Sequence, residues 1–173
     1  MRRIGTLLLF ALALSGDVAG AAGRTTDWQG LIVTDGPAAE SERRALVESL
    51  RLLPRLPIRV AVIDATEAKP DVQPTLLSLD AFVVIGSPVV YVVRQSALLR
   101  GARDGSTAHT HALAAAIWHE MAHVDGADER QARTREQALW TTFVRDERVD
   151  NVVALRYLNL LNGRPDDFVM AFR

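Results

Sequence analysis

The stretch HALAAAIWHEMAHVDGADE, residues 111–129, decides how this chain is read. Its first part, HALAAAIW, is alanine-rich and free of helix breakers, which predicts a helix. The motif HEMAH follows, with His119 and His123 four residues apart. On a helix, two side chains at that spacing lie one above the other on one face. Imidazoles so placed can bind one Zn²⁺, each at about 2.0–2.1 Å. Glu120, beside the first histidine, is then positioned to take a proton from a water on the metal. The bland alternative is two surface histidines on an ordinary helix. The helical context and the carboxylates downstream favour the metal.

A catalytic zinc takes three protein ligands and keeps one position open. The chain has no cysteine, so histidines and carboxylates must supply all three. Beyond the motif the candidates are Asp125, Asp128, Glu129, Glu136 and Glu147. If the chain turns near Gly126, residues equidistant from the turn face each other across two antiparallel helices. His123 then lies level with about position 129, and His119 with about 133. Glu129 falls in that interval and is the first choice. Glu136, roughly a turn beyond His119, is the alternative third ligand. For a developing oxyanion the upstream donors to consider are Tyr91, Arg94, His109 and His111, each with an ordinary packing or surface role as its competitor.

His119-Glu120-x-x-His123 followed by Glu129-x-x-Ala132 resembles the HExxH…ExxA arrangement of gluzincin metallopeptidases, and by size their minimal forms, the minigluzincins. The resemblance covers residues 80–144 and is specific only in the two motifs. It implies that His119, His123 and Glu129 hold zinc and that Glu120 is the general base. It also implies a small antiparallel sheet ahead of the motif helix, whose edge strand, expected at residues 89–93, aligns an extended peptide by strand addition. The chain departs from that pattern at Arg133, where gluzincins often carry an acidic residue that orients a zinc histidine; Glu136 or Asp125 would have to do so here. HEMAHVDGADE also fits the metzincin spacing HExxHxxGxxH with Glu129 in the third-ligand place. Both alignments select Glu129.

Working outward, Gly126 sits where a glycine ends a helix, and Asp128 with Gln131 forms a capping-box pattern that starts the next. Further helices are expected over 38–53, 97–100 after the cap residue Ser96, 110–124 and 151–161, the last stopping at Asn162-Gly163. Strands are expected over 31–34, 58–63, 81–85 and 89–93, with the Gly86-Ser87-Pro88 break joining the last two as a hairpin. The expected fold class is α+β: a small, mostly antiparallel sheet in the N-terminal half, then the motif helix and a helical C-terminal half.

The first 21 residues read as a signal peptide, with Arg2 and Arg3 ahead of an apolar run and Ala19-Gly20-Ala21 as the cleavage site. Residues 22–173 then form one domain, exported to the periplasm or medium. No later segment is long and apolar enough for stable membrane insertion. With 20 basic and 21 acidic residues the net charge is −1, which gives no argument for a nucleic-acid partner. The expected function is zinc-dependent hydrolysis of peptide bonds in a peptide or protein substrate. The alternatives are a zinc-stabilised, non-catalytic envelope scaffold and a zinc hydrolase of a non-peptide amide. A purely structural site has no need of Glu120, which favours the enzyme.

Overall fold

The computed structural model describes residues 27–161, so the expected leader and the stop at Asn162-Gly163 lie outside the described residues. One helical turn, α1 (Trp28–Leu31), leads into the short strand β1 (Ile32–Val33). Helix α2 (Ala39–Leu50) turns Ala45, Leu46 and Leu50 into the core. It stops short of residue 53 because the Leu52 and Leu53 N–H groups take the carbonyls three residues back, tightening the chain ahead of Pro54. Strand β2 (Arg59–Ile63) follows. A connection containing a 3₁₀ turn and the single-turn helix α3 (Gln73–Leu76) reaches β3 (Ala81–Val83), and the chain then reverses into β4 (Val89–Val93).

The strand order is β1-β2-β4-β3. The hairpin is antiparallel and sets Phe82 opposite Tyr91 and Val83 opposite Val90. The sheet as a whole is mixed and not mostly antiparallel, since β1 with β2 and β2 with β4 run parallel. Parallel neighbours need a long crossover. Helix α2 provides it between β1 and β2, and the stretch containing β3 provides it between β2 and β4. Strand β4 is therefore interior, which corrects the expectation that residues 89–93 form the substrate-facing edge. The outer strand on that side is β3.

Val60, Val62, Val90 and Val92 pack on the helices, while Phe82, Tyr91 and Val93 face a smaller cluster with Ala65, Leu76 and Leu79. Helix α4 (Ala97–Arg103) is capped by Ser96, whose Oγ accepts the Leu99 N–H at 3.0 Å. Helix α5 (Thr107–Val124) begins three residues earlier than expected because Ser106 caps it. Ala112, Leu113, Ala114, Ala115 and Ile117 are completely buried, and with Ala116 half-buried α5 has almost no solvent face along this stretch. Each such leucine or isoleucine contributes roughly 1.5–3 kcal/mol by leaving water. Gly126 has φ +85°, and the Gly126 and Ala127 N–H groups return to the His123 and Ala122 carbonyls, closing the helix end. Helix α6 (Glu129–Arg145) starts at once from the Asp128/Gln131 capping box, so α5 and α6 are antiparallel neighbours. Helix α7 (Asn151–Leu161) packs back on α6, with Trp140 stacked on Tyr157 at 4.0 Å and its indole N–H donating to the Ala154 carbonyl at 3.2 Å. The fold is α+β. No helix among the described residues is long and apolar enough to cross a membrane.

Helix α4 meets α5 at Gly101, where an added Cβ would lie 2.3 Å from the His109 ring. That ring is tethered by Nδ1 to the Ser106 hydroxyl at 2.8 Å. Alanine would gain about 1 kcal/mol of helix propensity, but overpacking costs about 1–3 kcal/mol and the tethered ring cannot yield cheaply. Gly101→Ala should therefore lower the urea midpoint, and His109→Ala in the same chain should recover most of the loss. An unchanged midpoint in Gly101→Ala would mean that the two helices separate freely.

Candidate metal centre

The four-residue spacing on α5 brings the His119 and His123 rings together edge-on, with centroids 4.9 Å apart. Their Nε2 atoms approach to 3.1 Å. From the first turn of α6, Glu129 Oε2 reaches His123 Nε2 at 3.4 Å and His119 Nε2 at 3.6 Å. Those three atoms form a group that could hold a metal ion. Ligands on a tetrahedral ion bound at 2.0–2.1 Å stand about 3.3–3.4 Å apart, so the triangle has the right size. The proton positions point the same way. His123 Nδ1 lies 3.0 Å from the Ala127 carbonyl, which can only accept, so Nδ1 carries the hydrogen and Nε2 the lone pair. His119 Nδ1 donates to Glu136 Oε2 at 2.9 Å, which leaves its Nε2 lone pair inward as well. In the neutral state of both rings, two lone pairs and a carboxylate oxygen converge at distances that could accommodate a cation.

Glu136 is thus set against the far nitrogen of His119 and outside the triangle. It is 2 % exposed, and its other oxygen accepts the Tyr157 hydroxyl at 2.6 Å. Burial and the adjacent Glu136 charge raise the Tyr157 phenol well above 10, so it remains a donor. Arg133, four residues after Glu129, donates from Nε to Glu129 Oε1 at 2.7 Å, which leaves Oε2 directed at the histidines. Asp125, the other residue considered as a support for a histidine, is instead held by Arg55 and Arg135. Asp128 is spent on capping α6, and Glu147 is exposed in the turn before α7. Burial by itself lowers the His119 imidazolium pKa, but the hydrogen bond and charge of Glu136, with Glu120 and Glu129 behind it, leave the group raised.

Glu120 is buried beside this group. Burial, helped by the Glu136 and Glu129 charges, pushes its carboxyl up to about 8 against the opposing pull of His119 and the Val83 backbone N–H. The Val83 contact has a topological origin. The Val93 N–H bonds to the Asp80 carbonyl, so in the antiparallel alternation Phe82 also points its backbone groups at β4. Ala81 and Val83 then turn theirs to the outer edge, where Glu120 meets one of them.

None of the four upstream donors reaches the centre. Tyr91 stacks on Phe82 on the opposite face of the sheet. Arg94 lies four residues along from the Val83 partner Val90, about 13 Å away along the strand, and binds Asp35, Glu42 and Asp64. His109 is wedged against Gly101, and His111 packs edge-on against Phe143 with Nδ1 on the Thr107 carbonyl. Sequence reasoning missed Tyr157 and the outward N–H of Val83. The one available signal for Tyr157 was a single phenol on the buried stripe of α7, since a buried hydroxyl needs an acceptor.

Two outcomes follow from these contacts. Glu129→Ala should weaken zinc binding by more than 100-fold, whereas Glu136→Ala should cost about 10–100-fold, as expected for a group that only orients a ligand; chelator competition measures both, and the reverse ranking would refute the assignment. In metal-free protein the Glu120 carboxyl is raised, so the folded state holds its proton more tightly than the unfolded chain. Its penalty is absent below the ordinary 4.5, grows as pH rises and is complete above about 8. Metal-free Glu120→Gln should accordingly match the wild type near pH 4.5 and exceed it by a few kcal/mol at pH 8, read from denaturation at both values.

No family model, no curated protein and no solved structure matches this chain. What can be said of the site rests on its own residues and their geometry.

Proposed function

We propose that this protein is an exported zinc metallopeptidase. The observation that carries this is the convergence of His119 Nε2, His123 Nε2 and Glu129 Oε2 with the buried Glu120 carboxyl on the same helix. His119, His123 and Glu129 would hold the ion, and the donor set of two imidazoles and one carboxylate suits zinc. When bound, the metal would polarise the scissile carbonyl and make water nucleophilic at neutral pH.

The rest of the chemistry falls to the chain itself. Glu120 takes the proton of the attacking water and passes it to the leaving amine nitrogen. Its dry surroundings already strengthen its hold on a proton, which is what the second transfer requires of a base that must also act as an acid. Arg133 holds the far oxygen of Glu129, and Glu136 fixes the tautomer and tilt of His119. The outer edge of β3, whose residues are only 5–7 % exposed, turns the Ala81 backbone groups and the Val83 carbonyl away from β4, and a peptide added there as a further strand would run past Glu120. This is the support for a peptide over a non-peptide amide. With the leader read at residues 1–21, the place of action is the periplasm or the medium.

The test is turnover of an unfolded protein substrate by zinc-loaded enzyme. Wild type should cleave it and lose activity to a chelator. Glu120→Gln should retain one zinc per chain and lose essentially all cleavage, because it removes the base and no ligand. Metal-loaded wild type that cleaves nothing, or Glu120→Gln that cleaves as well as wild type, would overturn the proposal.

A further inference from the structure

We infer that Tyr157 is a positioning residue of the metal centre: acting through Glu136 it holds the His119 imidazole, and it thereby couples the docking of α7 to metal affinity. This rests on the metal-site reading above. The link is two hydrogen bonds long. Tyr157 donates to Glu136 Oε1 at 2.6 Å, and Glu136 Oε2 accepts from His119 Nδ1 at 2.9 Å. Each carboxylate oxygen has its own donor, and the donors come from different helices, α7 and α5, while the carboxylate stands on α6. At 2 % exposure, solvent cannot readily replace either one.

A glutamate has one more rotatable bond than an aspartate, so a single contact to His119 does not define where its carboxylate lies. A second anchor does. The phenol is itself held firmly, because its ring stacks on the fully buried Trp140 at 4.0 Å and the Trp140 indole N–H clamps the Ala154 carbonyl one turn earlier on α7. Moreover, the position four residues after Glu129 is Arg133, which serves Glu129. The orientation of His119 is left to Glu136, seven residues on, and to whatever fixes Glu136.

The experiment compares full-length wild type, Tyr157→Phe, Glu136→Ala, the double variant and Val153→Ala. Val153 packs on the core from α7 but forms no part of the hydrogen-bonded link, so it controls for helix docking alone. Zinc affinity is read by chelator competition, and site geometry by the visible absorption of the cobalt-substituted protein. Tyr157→Phe keeps the stacked ring and should weaken zinc about 10-fold, the low end for an outer partner, with a shifted cobalt spectrum. Val153→Ala should leave both unchanged, and Tyr157→Phe should add nothing in the Glu136→Ala background, as expected of residues acting through one path. Hydrogen exchange of wild type with and without zinc needs no variant and covers the case in which Tyr157→Phe fails to fold. Coupling is reciprocal, so zinc should slow exchange in α7. Unchanged affinity and spectrum in Tyr157→Phe, equal losses in Val153→Ala, or α7 exchange indifferent to zinc would each overturn the inference. A wild type that binds no zinc would overturn the metal site itself and this inference with it.

Discussion

Between Ala112 and Ile117, helix α5 offers almost no surface to water, because α2, α4, α6 and strands β3 and β4 all pack against it. Alanine at Ala112, Ala114 and Ala115 makes this possible, since a small side chain lets a neighbouring helix or strand come close while costing nothing in helix propensity. The same helix continues into the HEMAH motif without a break. Polar side chains are thereby carried into an enclosure set up for apolar ones, and His119 and Glu120 end up 1 % and 5 % exposed. For His119 burial works against the proton and is outweighed by Glu136, while the raised proton affinity of Glu120 follows from that placement. So does the proximity of β3, whose outer backbone groups meet the helix where Glu120 projects.

Buried charge is handled in two ways in this structure. At the carboxyl ends of the parallel strands, Glu42 is fully buried on α2 and is met by the Thr34 hydroxyl, Arg94 and Arg103. Arg94 in turn bridges Asp35 and Asp64, and its hydrogen bonds to these partners outweigh the effect of burial and raise its proton affinity. Every charge there has an opposite neighbour, and the cluster reads as a tie between β1, α2, β2 and β4. At the other centre the compensation is incomplete. Two imidazole nitrogens and one carboxylate oxygen face the same small volume, and Glu120 has only the pull of His119 and one backbone N–H to set against burial and two nearby carboxylates. Electrostatic cost retained at such a cluster is what the proposed metal-dependent reaction would use.

Around that centre the supporting contacts come from two helices and a turn. Glu136 from α6 and the Ala127 carbonyl from the turn set the two histidine tautomers, Arg133 sets the carboxylate of Glu129, and Tyr157 reaches in from α7. The short turn closed by Gly126 brings α5 and α6 into register, so ligand spacing and turn geometry depend on one another.

Much of this was written locally. The i, i+4 histidines, the glycine that ends α5, the Asp128/Gln131 box that begins α6 and the Gly86-Ser87-Pro88 reversal are all signals within a few residues, and each has its physical effect over the same short range. Hairpin arithmetic from Gly126 was enough to bring Glu129 level with His123. The sheet was less legible. Strands 58–63 and 89–93 look alike as valine-rich runs, and nothing in either shows that they pair in parallel with β3 outside them; that depends on which faces α2 and α5 must cover. Likewise Tyr157, Arg94 and His109 have ordinary sequence surroundings. Their partners are 21, 52 and 8 residues away along the chain respectively, in Glu136, Glu42 and Gly101. The sequence by itself determined the motif, the helix ends and the turn, because capping, spacing and backbone conformation act over a few residues. The tertiary structure alone decided which strand forms the edge, which carboxylate faces which imidazole nitrogen and which phenol stands behind it, because those outcomes are fixed by how whole elements exclude water together.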